Sequence, residues 1–244
     1  DHIDTSQLMV DKDAKTGVAF VWVDMEGHNK CVCSLGVNAR VTSQDVQSYA
    51  HLFTDRSIVM TTLEHSSQLL DEISLMARQN NCILIVDPSS KDYSKLTPEI
   101  AGRIDILKPN EVETEMLTGI RVETEEDAVQ AIHVLKDKGI RMPVISLGSR
   151  GVIYEYKGKA TSVKGLRVNA VDTTAAGDTF IGSMAANRDI HFRSLSTMPT
   201  APLHTACSTG GRKSLFLLRK MYYNKTIYYF YKPKGERAWI IGDI

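Results

Sequence analysis

The run AVDTTAAGDTFIG, Ala170 to Gly182, gathers small residues, hydroxyls and two aspartates just ahead of an apolar stretch that opens at Phe180. Ala175, Ala176 and Gly177 carry almost no side chain, so their backbone N–H groups can come close to a ligand. A helix starting there leaves N–H groups unpaired and carries positive partial charge, which suits a phosphate. Asp178, at the edge of such an anion hole, can accept a proton from an attacking hydroxyl. Asp172 and Thr174 offer oxygens to a cation. The chemistry these types at this spacing support is phosphoryl transfer. The alternative is a plain helix start, in which Asp178 caps and the alanines pack.

Other segments could serve the same chemistry. Glu113, at the end of an expected strand, could hold Mg²⁺ through water, because magnesium gives up its hydration shell reluctantly. The same carboxylate also suits a helix N-terminus through the dipole alone. In SLGSRG, Ser146 to Gly151, two glycines flank small polar residues, so the backbone can approach a nucleotide. A bare tight turn between strands needs the same residues.

Taken together these strings resemble the ribokinase (PfkB) family of sugar kinases. AVDTTAAGDTF is similar to the family signature DTTGAGDTF, with Ala175 in place of a glycine. The resemblance implies that Asp178 is the general base and that the amides of Ala175, Ala176 and Gly177 stabilise the transferring phosphoryl group. It places Asp172 and Thr174 in a loop for a monovalent cation, K⁺. KPNEVETEMLTGI, from Lys108, resembles the segment with the family's N-x-x-E motif, which assigns Asn110 and Glu113 to magnesium, water and nucleotide phosphates. SLGSRG resembles the family nucleotide loop, so Ser146, Gly148, Ser149 and Gly151 become ATP-binding candidates. SIVMTTLE resembles the strand whose closing glutamate helps bind the sugar, which makes Glu64 a substrate ligand or, failing that, a solvated glutamate. ATP and Mg²⁺ are the implied cofactors, ribose is the leading sugar, and family homodimers pair through lid sheets.

The chain has 244 residues, 43% of them hydrophobic, enough for one substantial core, and its 29 basic and 29 acidic residues balance. Nothing marks a basic surface for nucleic acid or an apolar run that could span a bilayer, so the default is a soluble cytoplasmic protein. Cys31, Cys33, Cys82 and Cys207 have neither zinc nor disulfide spacing and read as buried thiols. No GxGxxG follows an early strand, which disfavours a dinucleotide oxidoreductase.

Periodicity predicts strands over Gly17 to Val23 and Asn29 to Ser34, then Ile58 to Leu63, Cys82 to Val86, Ile104 to Leu107, Val144 to Leu147, Gly151 to Tyr156 and Ala160 to Val163. Helices are predicted over Ser66 to Gln79, Glu111 to Leu117 and Glu125 to Lys138. This alternation argues for a mainly parallel sheet flanked by helices, with ligands at the carboxyl ends of strands. The family resemblance implies a ribokinase-like three-layer α/β sandwich, incomplete, with part of a small β lid.

Residues 1–192 read as a partial kinase domain that starts about a third of the way into the family pattern, without its GGKGAN motif. Residues 193–244 read as an atypical tail. Shifting the reading frame by one base permits YANRASS over Thr197 to His204 and RGAQKSIP over Thr209 to Leu217, both family-like, which suggests a frame slip. Two functional expectations follow: a sugar kinase, or an inactive remnant that keeps at most nucleotide binding or an interaction role.

Overall fold

The computed structural model describes residues 4, 6–23, 29–90, 92–165 and 176–186. Asp172, Thr174, Ala175 and the tail 193–244 lie outside the described residues.

Six strands form the main sheet in sequential order: β3 (Ile58–Thr62), β4 (Ile83–Asp87), β5 (Ile106–Leu107), β6 (Met142–Ser146), β7 (Gly151–Tyr156) and β8 (Lys159–Lys164). The pairs from β3 to β6 are parallel, and β7 and β8 add an antiparallel edge. A separate antiparallel hairpin pairs β1 (Val18–Val23) with β2 (Asn29–Ser34).

Parallel strands need crossovers, and the sequence supplies capped amphipathic helices for them. In α2 (Ser67–Gln79) the Ser66 hydroxyl accepts the Leu69 N–H, and Leu69, Leu70, Ile73, Met76 and Ala77 turn inward. In α5 (Glu125–Asp137) Thr124 and Asp127 exchange bonds as a capping box, with Ala128, Ala131, Ile132 and Leu135 buried. Two short helices escape the periodicity: α1 (Ser43–Ser48), held by a Thr42–Asp45 capping box, and α3 (Pro98–Ala101), started by Thr97 and a proline. With so few residues they show no repeating apolar stripe.

Both faces of the sheet are covered because side chains alternate along each strand. Leu84, Val86 and Leu107 pack towards α2, whereas Ile85, Ile106, Met142 and Val144 pack towards Phe180, Ile181 and Met184 of α6 (Ala176–Ala186). The result is a three-layer sandwich whose strand ends open on one side. At the opposite, amino-terminal end Asp105 accepts the Leu84 N–H at 2.9 Å and pairs with Arg141 at 3.1 Å, a purely structural tie.

The hairpin corrects one expectation. Cys33 is exposed on β2 of the separate two-stranded sheet, while Cys82 is buried as expected. Phe20 and Trp22 stack on the same hairpin with about 60% of their surface exposed (61% and 60%).

Candidate active site

The parallel register sets Val86 of β4 against Leu107 of β5, so the next residue of each, Asp87 and Lys108, leave the sheet side by side. Their side chains, 8% and 5% exposed, meet in an ion pair of 2.7 Å. Asp87 is held from behind: its Oδ1 accepts the Ser89 N–H at 3.2 Å and the Ser89 hydroxyl at 2.7 Å. Burial opposes the Lys108 charge, but Asp87, Glu113 and Asp178 outweigh it and raise its pKa. One ammonium thus serves three carboxylates.

Asp178 stands in the first turn of α6. Solvent reaches its side chain, yet protein mass and the Asp87 carboxylate push its pKa up, with Lys108 opposing. A residue on the rim of a concavity has both properties. Gly177, one residue earlier, packs on Lys108: a β-carbon there would lie 3.0 Å from Nζ.

Asn110 and Glu113 open α4 (Glu111–Thr118) as a reciprocal capping box, Glu113 N–H donating to Asn110 Oδ1 at 2.9 Å and Asn110 N–H to Glu113 Oε2 at 2.7 Å. The helix-start reading of Glu113 is therefore realised, and it leaves the carboxylate half-buried beside the charged group. Burial first, and Asp87 second, raise its pKa. Its hard oxygens suit Mg²⁺ held through water.

The glycine loop lies against this helix. The Ser146 N–H and hydroxyl both donate to Pro109 O, at 2.9 and 3.3 Å. Arg150 donates to Glu111 Oε1 at 2.7 Å and to the carbonyls of Val122 and Glu123. Gly148 and Ser149 are exposed, whereas Gly151 is buried at φ 108°, where a β-carbon would strike Val163 O at 2.0 Å. Gly151 is thus required by the turn into β7, whatever else it does.

Glu64 lies one residue beyond Leu63, whose N–H donates to the Asp87 carbonyl at 3.2 Å. It follows β3 and lines a cavity of about 270 Å³ with Leu35, Asn38, His65 and Lys95, and neither Asp87 nor Asp178 reaches that wall. Lys95 Nζ donates to the carbonyls of Leu63 and Glu64.

Sequence reasoning missed Asp87, Lys108 and Tyr93. Tyr93 is half-buried, and burial followed by the charges of Glu113 and Asp87 pushes its phenol up to about 12. The available signal was a charged residue ending each of two apolar strands, ILIVD and IDILK.

The sequence matches the pattern of the pfkB family carbohydrate kinases over residues 1–210. The chain belongs to that family. Among similar pfkB-family proteins, the ribokinase of Haemophilus influenzae is 35% identical over 180 residues, 74% of this chain and 58% of the relative. The ribokinase of Staphylococcus aureus is 33% identical over 76% of this chain and 60% of its own. The structure of Arabidopsis thaliana ribokinase complexed with ribose and ATP matches with a TM-score of 0.66 at 25% identity, over 86% of this chain and 70% of that one. The chain thus spans about three fifths of the length of these curated pfkB relatives.

Proposed function

We propose that this chain phosphorylates a sugar hydroxyl with ATP, ribose to ribose 5-phosphate being the leading reaction. The observation that carries this reading is the meeting of Asp178, Gly177 and Lys108 at the first turn of α6, above the carboxyl ends of β4 and β5. Likeness to ribokinases, one of them a complex with ribose and ATP, supports the choice of substrates.

In this mechanism the backbone amides at the start of α6 receive the terminal phosphate, adding donors and the positive end of the helix where charge develops. Asp178 takes the proton of the acceptor hydroxyl as that oxygen bonds the terminal phosphorus and the bond from this phosphorus to the departing ADP breaks; its raised pKa makes it a better base than an ordinary aspartate. Ser146, Gly148, Ser149 and Gly151 shape the nucleotide loop, and Glu64 takes a sugar hydroxyl. Asn110 and Glu113 would hold Mg²⁺ through water, and Asp172 with Thr174 would hold K⁺; bound there, these ions offset phosphate charge. The exposed Phe20 and Trp22 on the hairpin suit pairing of two lid sheets in a homodimer. A cytoplasmic setting belongs to the same proposal; among the described residues no helix is long and apolar enough to cross a membrane.

The second reading is a remnant that binds nucleotide without turnover. A coupled assay with ATP and ribose, run beside calorimetry with ATP, separates the two. Turnover lost in Asp178→Ala supports the kinase. Nucleotide binding with no turnover in folded wild-type protein supports the remnant, and neither in folded protein sinks both.

A further inference from the structure

The buried Asp87–Lys108 pair has no task in the mechanism above, and its position is costly. An ammonium this deep is tolerated only when paired, and two apolar residues of similar volume would serve packing as well or better. Its contact with Gly177 adds a second cost, because the first turn of a helix carries positive partial charge and repels a cation. Both costs fall when an anion sits at that turn, since ammonium and helix end then act on the same charge. Asp87 fixes the aim, with Ser89 occupying Oδ1 and Lys108 taking Oδ2. The missing β-carbon of Gly177 allows the approach.

We propose that Lys108, oriented by Asp87, is a positioning residue that presents a buried positive charge from beneath the first turn of α6 to the terminal phosphate of a nucleoside triphosphate. Because its side chain is only 5% exposed, it acts across Gly177 rather than by reaching the ligand. This inference rests on the phosphoryl-transfer reading of the α6 turn.

The test is calorimetry on the full chain with ATP, adenosine and inorganic tripolyphosphate. The proteins compared are wild type, Lys108→Met and the double variant Asp87→Leu/Lys108→Met, with circular dichroism to confirm folding. Lys108→Met is expected to weaken ATP and tripolyphosphate by about tenfold or more and adenosine by less than about twofold, as befits loss of one charge in a partly screened site. The double variant removes both partners of the buried ion pair and should give the same pattern, so it carries the test if the single variant fails to fold. A folded variant whose ratio of ATP to adenosine affinity equals that of wild type overturns the proposal, even if the wild-type protein turns over sugar. Binding of ATP that depends on Lys108 with no turnover of sugar keeps the proposal and sinks the kinase reading, whereas binding of tripolyphosphate without ATP overturns the proposal. Wild-type protein that binds none of the three overturns both.

Discussion

Gly177 lies directly on Lys108, with room for a β-carbon only at 3.0 Å from the ammonium. Lys108 cannot swing aside freely, because Asp87 holds it at 2.7 Å. Gly177→Ala is therefore expected to fold, since the atom that must yield ends a long side chain, but to displace the ammonium. ATP affinity should fall severalfold by calorimetry while the melting temperature shifts by only a few degrees, about 1 kcal/mol or less for a domain of this size.

Asp178→Asn separates activity from stability. Removing the proposed base should lower kcat by roughly 10²- to 10⁴-fold. The folded-state pKa of Asp178 is raised above its ordinary 3.8, so its favourable contribution is full below the unfolded value and is lost as pH rises through the folded value. A neutral asparagine escapes that loss. Thermal melts should show the variant more stable than wild type at neutral pH, the difference narrowing as pH falls through the raised folded value and closed below about 3.8.

Asp87 sets where the base titrates. Burial first and the Asp87 charge second raise the Asp178 pKa, so without Asp87 only burial opposes the downward pull of Lys108. In Asp87→Asn the acid limb of the kcat/KM profile is expected to move to lower pH, and a limb that stays in place or rises would contradict the assignment. Breaking the buried pair should also cost about 3–5 kcal/mol in denaturant unfolding.

Arg150 ties the glycine loop to Glu111 and to two carbonyls. Arg150→Ala should weaken adenosine and ATP equally, by calorimetry, and cost about 1–2 kcal/mol because carbonyls lose a charged donor. A loss confined to ATP would place Arg150 with the phosphates instead.

The hairpin offers the test of assembly. Trp22→Glu puts a charge beside Phe20 on the exposed face. Sedimentation should show dimer for wild type and monomer for the variant, with the main fold unchanged by circular dichroism.

The legible parts were those written in consecutive residues. Apolar periodicity along the helices, alternating apolar strands and the small residues before Phe180 place the elements and α6. Ion pairing between Asp87 and Lys108 is different, because it depends on the register of two strands separated by a helical crossover. Tyr93 lay in a loop without periodicity, and its closeness to Glu113 follows only from how that loop returns to the sheet. Glu64 shows the converse: its place after a strand was evident, but the direction of the wall it joins was set by the Gly36–Arg40 turn and Lys95. Cys33 misled because alternation in a hairpin says which residues share a face and not whether anything covers it.

Pro109 O receives both donors of Ser146, and through that one oxygen the segment bearing Asn110 is latched to the loop that begins β7. The two segments are thereby joined, so under the proposed kinase reading a nucleotide held at one end is registered at the other. Swapping the base for a bulkier analogue should then disturb catalysis as a change in kcat as well as in KM, even though the altered atoms never approach Asp178.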